Sequence, residues 1–167
     1  MQPIVSIKQC LIATIDDGDP GRRLKAGLDF LTEVSTKIAC PILHYSSKWY
    51  GRDEMIGYMH ELKRSRSPQN GGCLLLAGNH LEQQITVLAL EALAEGFDVH
   101  LLNDLISAHD KHRSATLQLR LIQAGAVPTT LRQLLYLWRY SEADSDVIMM
   151  LQDLLEAYDG LGIGRLR

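Results

Sequence analysis

Two aspartates, Asp16 and Asp17, stand where the first apolar run of the chain stops. A carboxylate there either holds a turn or takes a proton from water or another nucleophile. His44 and His80 fall at the ends of two predicted strands, with Asn79 just before His80. Gln83 and Gln84 sit at the start of a predicted helix, where a carboxamide can donate hydrogen bonds into a pocket or simply fill the first turn. Lys48 lies beside an aromatic pair, Trp49 and Tyr50, and reads either as a pocket lysine or as surface. No activated nucleophile joins this set. Ser46, Ser47 and Thr86 lack an evident base. Cys10, Cys40 and Cys73 lie in or beside apolar runs, where thiols behave as small hydrophobes. His44 and His80 have no metal-ligand spacing, so they read as polar pocket walls, and neither a metal nor a cofactor is expected. His109 and His112 read as the surface of a helix.

The elements that must hold these residues centre on residues 72–104. Cys73 to Ala77 is a short apolar run entered from glycine, as a buried strand requires. Gly78-Asn79 breaks it. Leu81, Ile85, Leu88 and Ala92 then recur at helical spacing until Gly96 ends the helix. Phe97 to Leu102 is a second β-rich run that reaches Asp104. Two buried strands joined by a helix pair in parallel, with a right-handed crossover. The ligand crevice of such a sheet lies beyond the carboxyl ends of its strands, here Gly78-Asn79-His80 and Asn103-Asp104.

Around this unit the chain alternates. A strand over residues 4–15 ends in dense turn chemistry, and a helix over residues 22–37 follows. A strand at residues 39–44 leads to a loop and a helix from about Glu54 to Arg64, with Asp53 as its cap. Later come a helix over residues 107–124, a short strand at 126–130, and helices at 131–139 and 145–158. The reading is an α/β three-layer sandwich on a mainly parallel sheet. One domain covers residues 1–159, and residues 160–167 form a loose tail.

The residues from Gly72 to Asp104 resemble the core of the isochorismatase-like cysteine hydrolases, whose pattern is strand, Gly, turn, nucleophilic Cys opening a helix, Gly-aromatic, strand and Asp. Gly78, Gly96, Phe97 and Asp104 fall in step with it. The likeness extends to Ala39-Cys40-Pro41-Ile42-Leu43 and to Gly125-Ala126-Val127-Pro128-Thr129-Thr130, so it covers most of the chain and implies an isochorismatase-like fold. It is nearest to the small isochorismatase-domain proteins. The family mechanism uses an Asp, a Lys and a Cys. The resemblance places the Asp at Asp16, or at Asp17 if the register shifts by one, and the Lys at Lys48. The nucleophile position is six residues after Gly78 and twelve before Gly96, and both counts reach Gln84. A carboxamide cannot do a thiolate's work. The segment before Lys48 is also shorter than in the family. Asn79, His80, His44 and Trp49 complete the expected pocket. A turn with a non-proline cis peptide, at Asn79–His80, and assembly into homo-oligomers are also family habits.

The totals agree with a globular chain. There are 167 residues, 46% of them hydrophobic and 22% charged, which suits one sizeable core. A net charge of -3 gives no reason to expect nucleic acid as a partner. No apolar run approaches the roughly 20 residues of a membrane helix, so no membrane partner is expected. The first residues lack a secretory pattern, and an odd count of three cysteines suits reduced thiols. A cytoplasmic protein is the expectation. Three functions follow. One is a pseudoenzyme that binds a small molecule. Another is a hydrolase of a C–N or ether bond by a non-cysteine route, with water activated by Asp16. The third is a structural subunit whose late helices, rich in Leu134, Leu135, Trp138, Met149 and Met150, form an interface.

Overall fold

The structure, a computed structural model, describes residues 6–16, 20–46, 52–66, 72–79, 84–108 and 110–163. After a short 3-10 turn at Ile7–Gln9, strand β1 (Cys10–Asp16) is followed by helix α1 (Arg22–Lys37), β2 (Ile42–Ser46) and α2 (Arg52–Ser65). Then come β3 (Cys73–Gly78), α3 (Thr86–Ala94), β4 (Asp98–Ile106), α4 (Lys111–Gln123), β5 (Val127–Thr129), α5 (Leu131–Ser141) and α6 (Ser145–Leu161). Among the described residues the five strands form one sheet, ordered β2-β1-β3-β4-β5, and every pair is parallel. The expected three-layer α/β/α architecture is therefore present, with β1, β3 and β4 at the centre.

The continuous apolar runs of β1 and β3 exist because both faces of the sheet are covered. Cys10 and Ile12 point to a core built with α1, α5 and α6, while Leu11, Ala13 and Ile15 point to a second core under α2, α3 and α4. Among the described residues, three helices start on side-chain caps. Asp110 accepts from the amides of His112 and Arg113 ahead of α4, Thr130 from Gln133 ahead of α5, and Asp144 from Asp146 and Val147 ahead of α6. No helix among the described residues is long and apolar enough to cross a membrane.

Several boundaries differ from the sequence reading. The second strand begins at Ile42 rather than Ala39, because Ala39 takes a left-handed turn (φ 54°) and the Cys40–Pro41 segment is spent crossing to the sheet. Helix α2 begins at Arg52, so Asp53 lies inside its first turn instead of capping it. Strand β4 does not stop at Asp104. Leu76 pairs with Leu101 but Gly78 pairs with Ile106, so β4 bulges between them. Asp104 sits in that bulge and turns away from the crevice. Its carboxylate accepts from the Leu131 amide at 3.0 Å and from the Tyr158 hydroxyl at 2.6 Å, tying β4 to α5 and α6. Helix α4 starts only at Lys111, not at residue 107, because Asp110 is the residue whose side chain caps its first turn. Helix α6 passes Tyr158 to end at Leu161, and the buried Ile163 follows.

Candidate functional site

Asp16 ends β1 half-buried, at the carboxyl edge of the sheet and opposite Ser46 in register. Its neighbour Ile15 accepts a hydrogen bond from the Asn79 amide at 3.0 Å, so the β1 end and the turn after β3 are locked side by side. Gly78 makes that contact possible. Its φ is 132°, and a Cβ there would lie 1.9 Å from the Ile15 carbonyl oxygen. On the other side the Gly78 carbonyl accepts from Ser107, just past β4. The turn thus lies across the ends of three strands, where the crevice of a parallel sheet belongs.

Asn79 is 5% exposed and Gln84 is 7% exposed. Gln84 and Ile85 form a π-type turn that leads into α3. Ile85 is anchored in the same apolar cluster as Ile15 and Leu76, which fixes the start of α3 against the ends of β1 and β3. Asp16, Asn79 and Gln84 therefore gather at one end of the sheet. His44 reaches the same end on the edge strand β2, but it is exposed, and its Nδ1 lies 2.7 Å from the Thr14 hydroxyl of β1. Lys48, Trp49, His80 and the Asn79–His80 peptide bond lie outside the described residues, as does Asp17.

The structure adds Thr14 and Tyr45, which the sequence reading did not single out, and buries the side-chain oxygen of Asn103, which that reading named at a strand end. Thr14 is buried and partners His44, a consequence of strand register that no local motif announces. The Tyr45 hydroxyl and the Asn103 carboxamide oxygen are buried with no hydrogen-bond partner among the described residues. Buried polar atoms normally find partners, so each is a group that a bound molecule can satisfy. Burial, then the charge of Glu61, pushes the Tyr45 hydroxyl up, keeping it a neutral donor. Among the described residues, no cluster of three or more His, Cys, Asp or Glu could hold a metal.

The cysteines are at the far end of the molecule. Cys10 and Cys73 are the first residues of β1 and β3, Cys40 precedes β2, and all three are buried free thiols. The hydrogen bond to Cys73 and then burial raise the Cys10 thiol, and burial pushes Cys40 up to about 12. Neither Cys10 nor Cys40 is an activated nucleophile.

Solved structures share this fold. MAR1, a ribonuclease from Caenorhabditis elegans, superposes with a TM-score of 0.73 at 14% identity, over 91% of this chain and 92% of its own. YcaC from Pseudomonas aeruginosa, solved with hexane-2,5-diol and covalent acrylamide, superposes with a TM-score of 0.73 at 15% identity, over 96% of each chain. The YcaC gene product of Escherichia coli, an octameric hydrolase of unknown specificity, gives a TM-score of 0.65 at 16% identity, over 96% of this chain and 100% of its own. No protein-family model and no curated protein sequence matches this chain. The fold is isochorismatase-like, and the likeness is one of architecture.

Proposed function

We propose that this isochorismatase-like protein has lost cysteine-dependent hydrolysis and works as a pseudoenzyme, binding a small molecule in its crevice or assembling with copies of itself. The observation that carries this reading is the separation between crevice and thiols. Gln84 occupies the buried turn into α3, where the resemblance places the nucleophile, whereas the three cysteines lie at the other end of the sheet. A carboxamide has no accessible nucleophilic form, but it can hold a ligand by hydrogen bonds. Asp16, Tyr45, Asn79 and Asn103 supply further polar groups at this end, and in this reading Lys48, Trp49, His44 and His80 complete the wall. A small polar molecule fits such a lining, and no cofactor is needed. Reduced cysteines favour a cytoplasmic setting.

The test is a direct assay of the purified protein on nicotinamide and related amides. The expected result is no turnover above buffer. Hydrolysis at an enzyme-like rate would overturn the reading.

One contact favours a second reading, a hydrolase of a C–N or ether bond that uses no cysteine. Thr14 and His44 form a hydroxyl–imidazole pair at 2.7 Å on the same strands that carry Asp16 and Ser46. If hydrolysis is found, Thr14→Val and His44→Gln should each abolish it under this reading.

A further inference from the structure

All three cysteines of the chain meet in one core cluster, on the α1, α5 and α6 side of the sheet. Cys10 and Cys73 are register partners on adjacent parallel strands and are buried in the same cluster. The Cys10 thiol also donates to the Ser6 carbonyl at 3.3 Å. The Cys40 thiol donates to the Cys10 carbonyl at 3.1 Å. Neighbouring strands lie about 4.7–4.9 Å apart, within the roughly 4.4–6.8 Å between Cα atoms that a disulfide spans. Side chains of parallel partners project side by side, so their Cβ atoms start near the strand spacing. A bridge prefers about 3.5–4.5 Å there, so closing one pinches the two strands together. The bridge is reachable, and its strain makes it easy to reduce.

We infer that Cys10 and Cys73 form a reversible redox site, which a hydroperoxide closes to an intrachain disulfide and small thiols reopen. Cys73 is 5% exposed and Cys10 is 0%, so the oxidant reaches Cys73 first. The Cys73 sulfur gives up its proton and attacks one peroxide oxygen. The O–O bond breaks, Cys73 becomes a sulfenic acid, and the other oxygen leaves with the proton as water or an alcohol. The Cys10 sulfur then attacks the Cys73 sulfur. Its proton goes to the departing hydroxide, which leaves as water as the S–S bond forms. The two thiols lose two electrons and the peroxide gains them.

The site also has a structural consequence. Closure removes the S–H that Cys10 gives to Ser6, and so releases a tie on the Ser6–Gln9 turn. Ser6, Ile7 and Lys8 form one wall of a cavity of about 500 Å³, whose other walls include Ile38, Trp138 and Met150. Redox state would thereby alter a cavity at the end of the sheet opposite the crevice.

The experiment treats the native protein with hydrogen peroxide, blocks remaining thiols with iodoacetamide after denaturation, and maps the peptides without reduction. The expected product is lighter by two hydrogens and carries a Cys10–Cys73 link. Its alkylatable thiols fall from three to one, Cys40, and dithiothreitol restores all three. Cys10→Ser should instead leave Cys73 as a sulfenic acid that dimedone traps. A Cys10–Cys40 link, a link between chains, over-oxidation without a bridge, or three unmodified thiols would each overturn the inference.

Discussion

Gly78 sits where a side chain is excluded by another strand's backbone. An alanine there would need both the strained φ of 132° and a displaced Ile15 carbonyl. Gly78→Ala should cost on the order of 3 kcal/mol or more, read as a lower urea midpoint. The break at Gly78-Asn79 is legible in the sequence, but its cause is not, since the atom that forbids the Cβ belongs to a residue 63 positions earlier. His100 is a second case. Burial lowers its pKa from the ordinary 6.5, outweighing the opposing charge of Asp98. As pH falls through that ordinary value, the unfolded chain takes a proton that the folded chain resists, so stability must fall with it. His100→Phe should flatten this loss between about pH 7 and pH 5, measured by urea unfolding at each pH. The same limits apply at the site. Asp16 and Gln84 are singled out by the family resemblance, whereas Thr14 and Tyr45 depend on register and burial that no local pattern encodes.

The elements were legible wherever periodicity was strong. Helix α1 has the expected bounds, and β3 and α5 lie close to theirs, because unbroken apolar runs and 3.6-residue spacing arise from burial itself, whereas β1 begins only at Cys10, after a 3-10 turn at Ile7–Gln9 that lies within the expected strand. The misplaced boundaries are those set by tertiary contacts. The β4 bulge lets Asp104 leave the crevice and hold the amide of Leu131 and the hydroxyl of Tyr158. A carboxylate read as the end of a strand is in fact the joint between the sheet and the two last helices. Asp104→Ala removes an N-terminal bond of α5 and leaves a buried hydroxyl unpaired, and should cost about 2–3 kcal/mol. Tyr158→Phe removes only the second bond, and should cost about 1 kcal/mol. Thermal unfolding of both variants, followed by circular dichroism, checks the order of these effects.

At the scale of the whole molecule, the central place of β1, β3 and β4 was foreseeable from their buried apolar runs, but the surface was not. Of the apolar groups on the last two helices, Leu134, Leu135, Trp138 and Leu151 are absorbed by the core. What remains outside is Met149, 66% exposed, with Tyr136, Tyr140 and Leu161. If copies of the chain associate, as the octameric YcaC chains do, Met149→Lys should lower the mass seen by light scattering. In the proposed function the isochorismatase-like scaffold still surrounds position 84 while the nucleophile is gone. The most direct measurement is the rate at which iodoacetamide labels Gln84→Cys. A thiol at this turn lies at the start of α3, beside the end of the strand that carries Asp16, and a helix start favours its thiolate. The account predicts that it is labelled at neutral pH well before Cys10, Cys40 or Cys73, and faster than a free cysteine. A Gln84→Cys thiol no more reactive than free cysteine would contradict it.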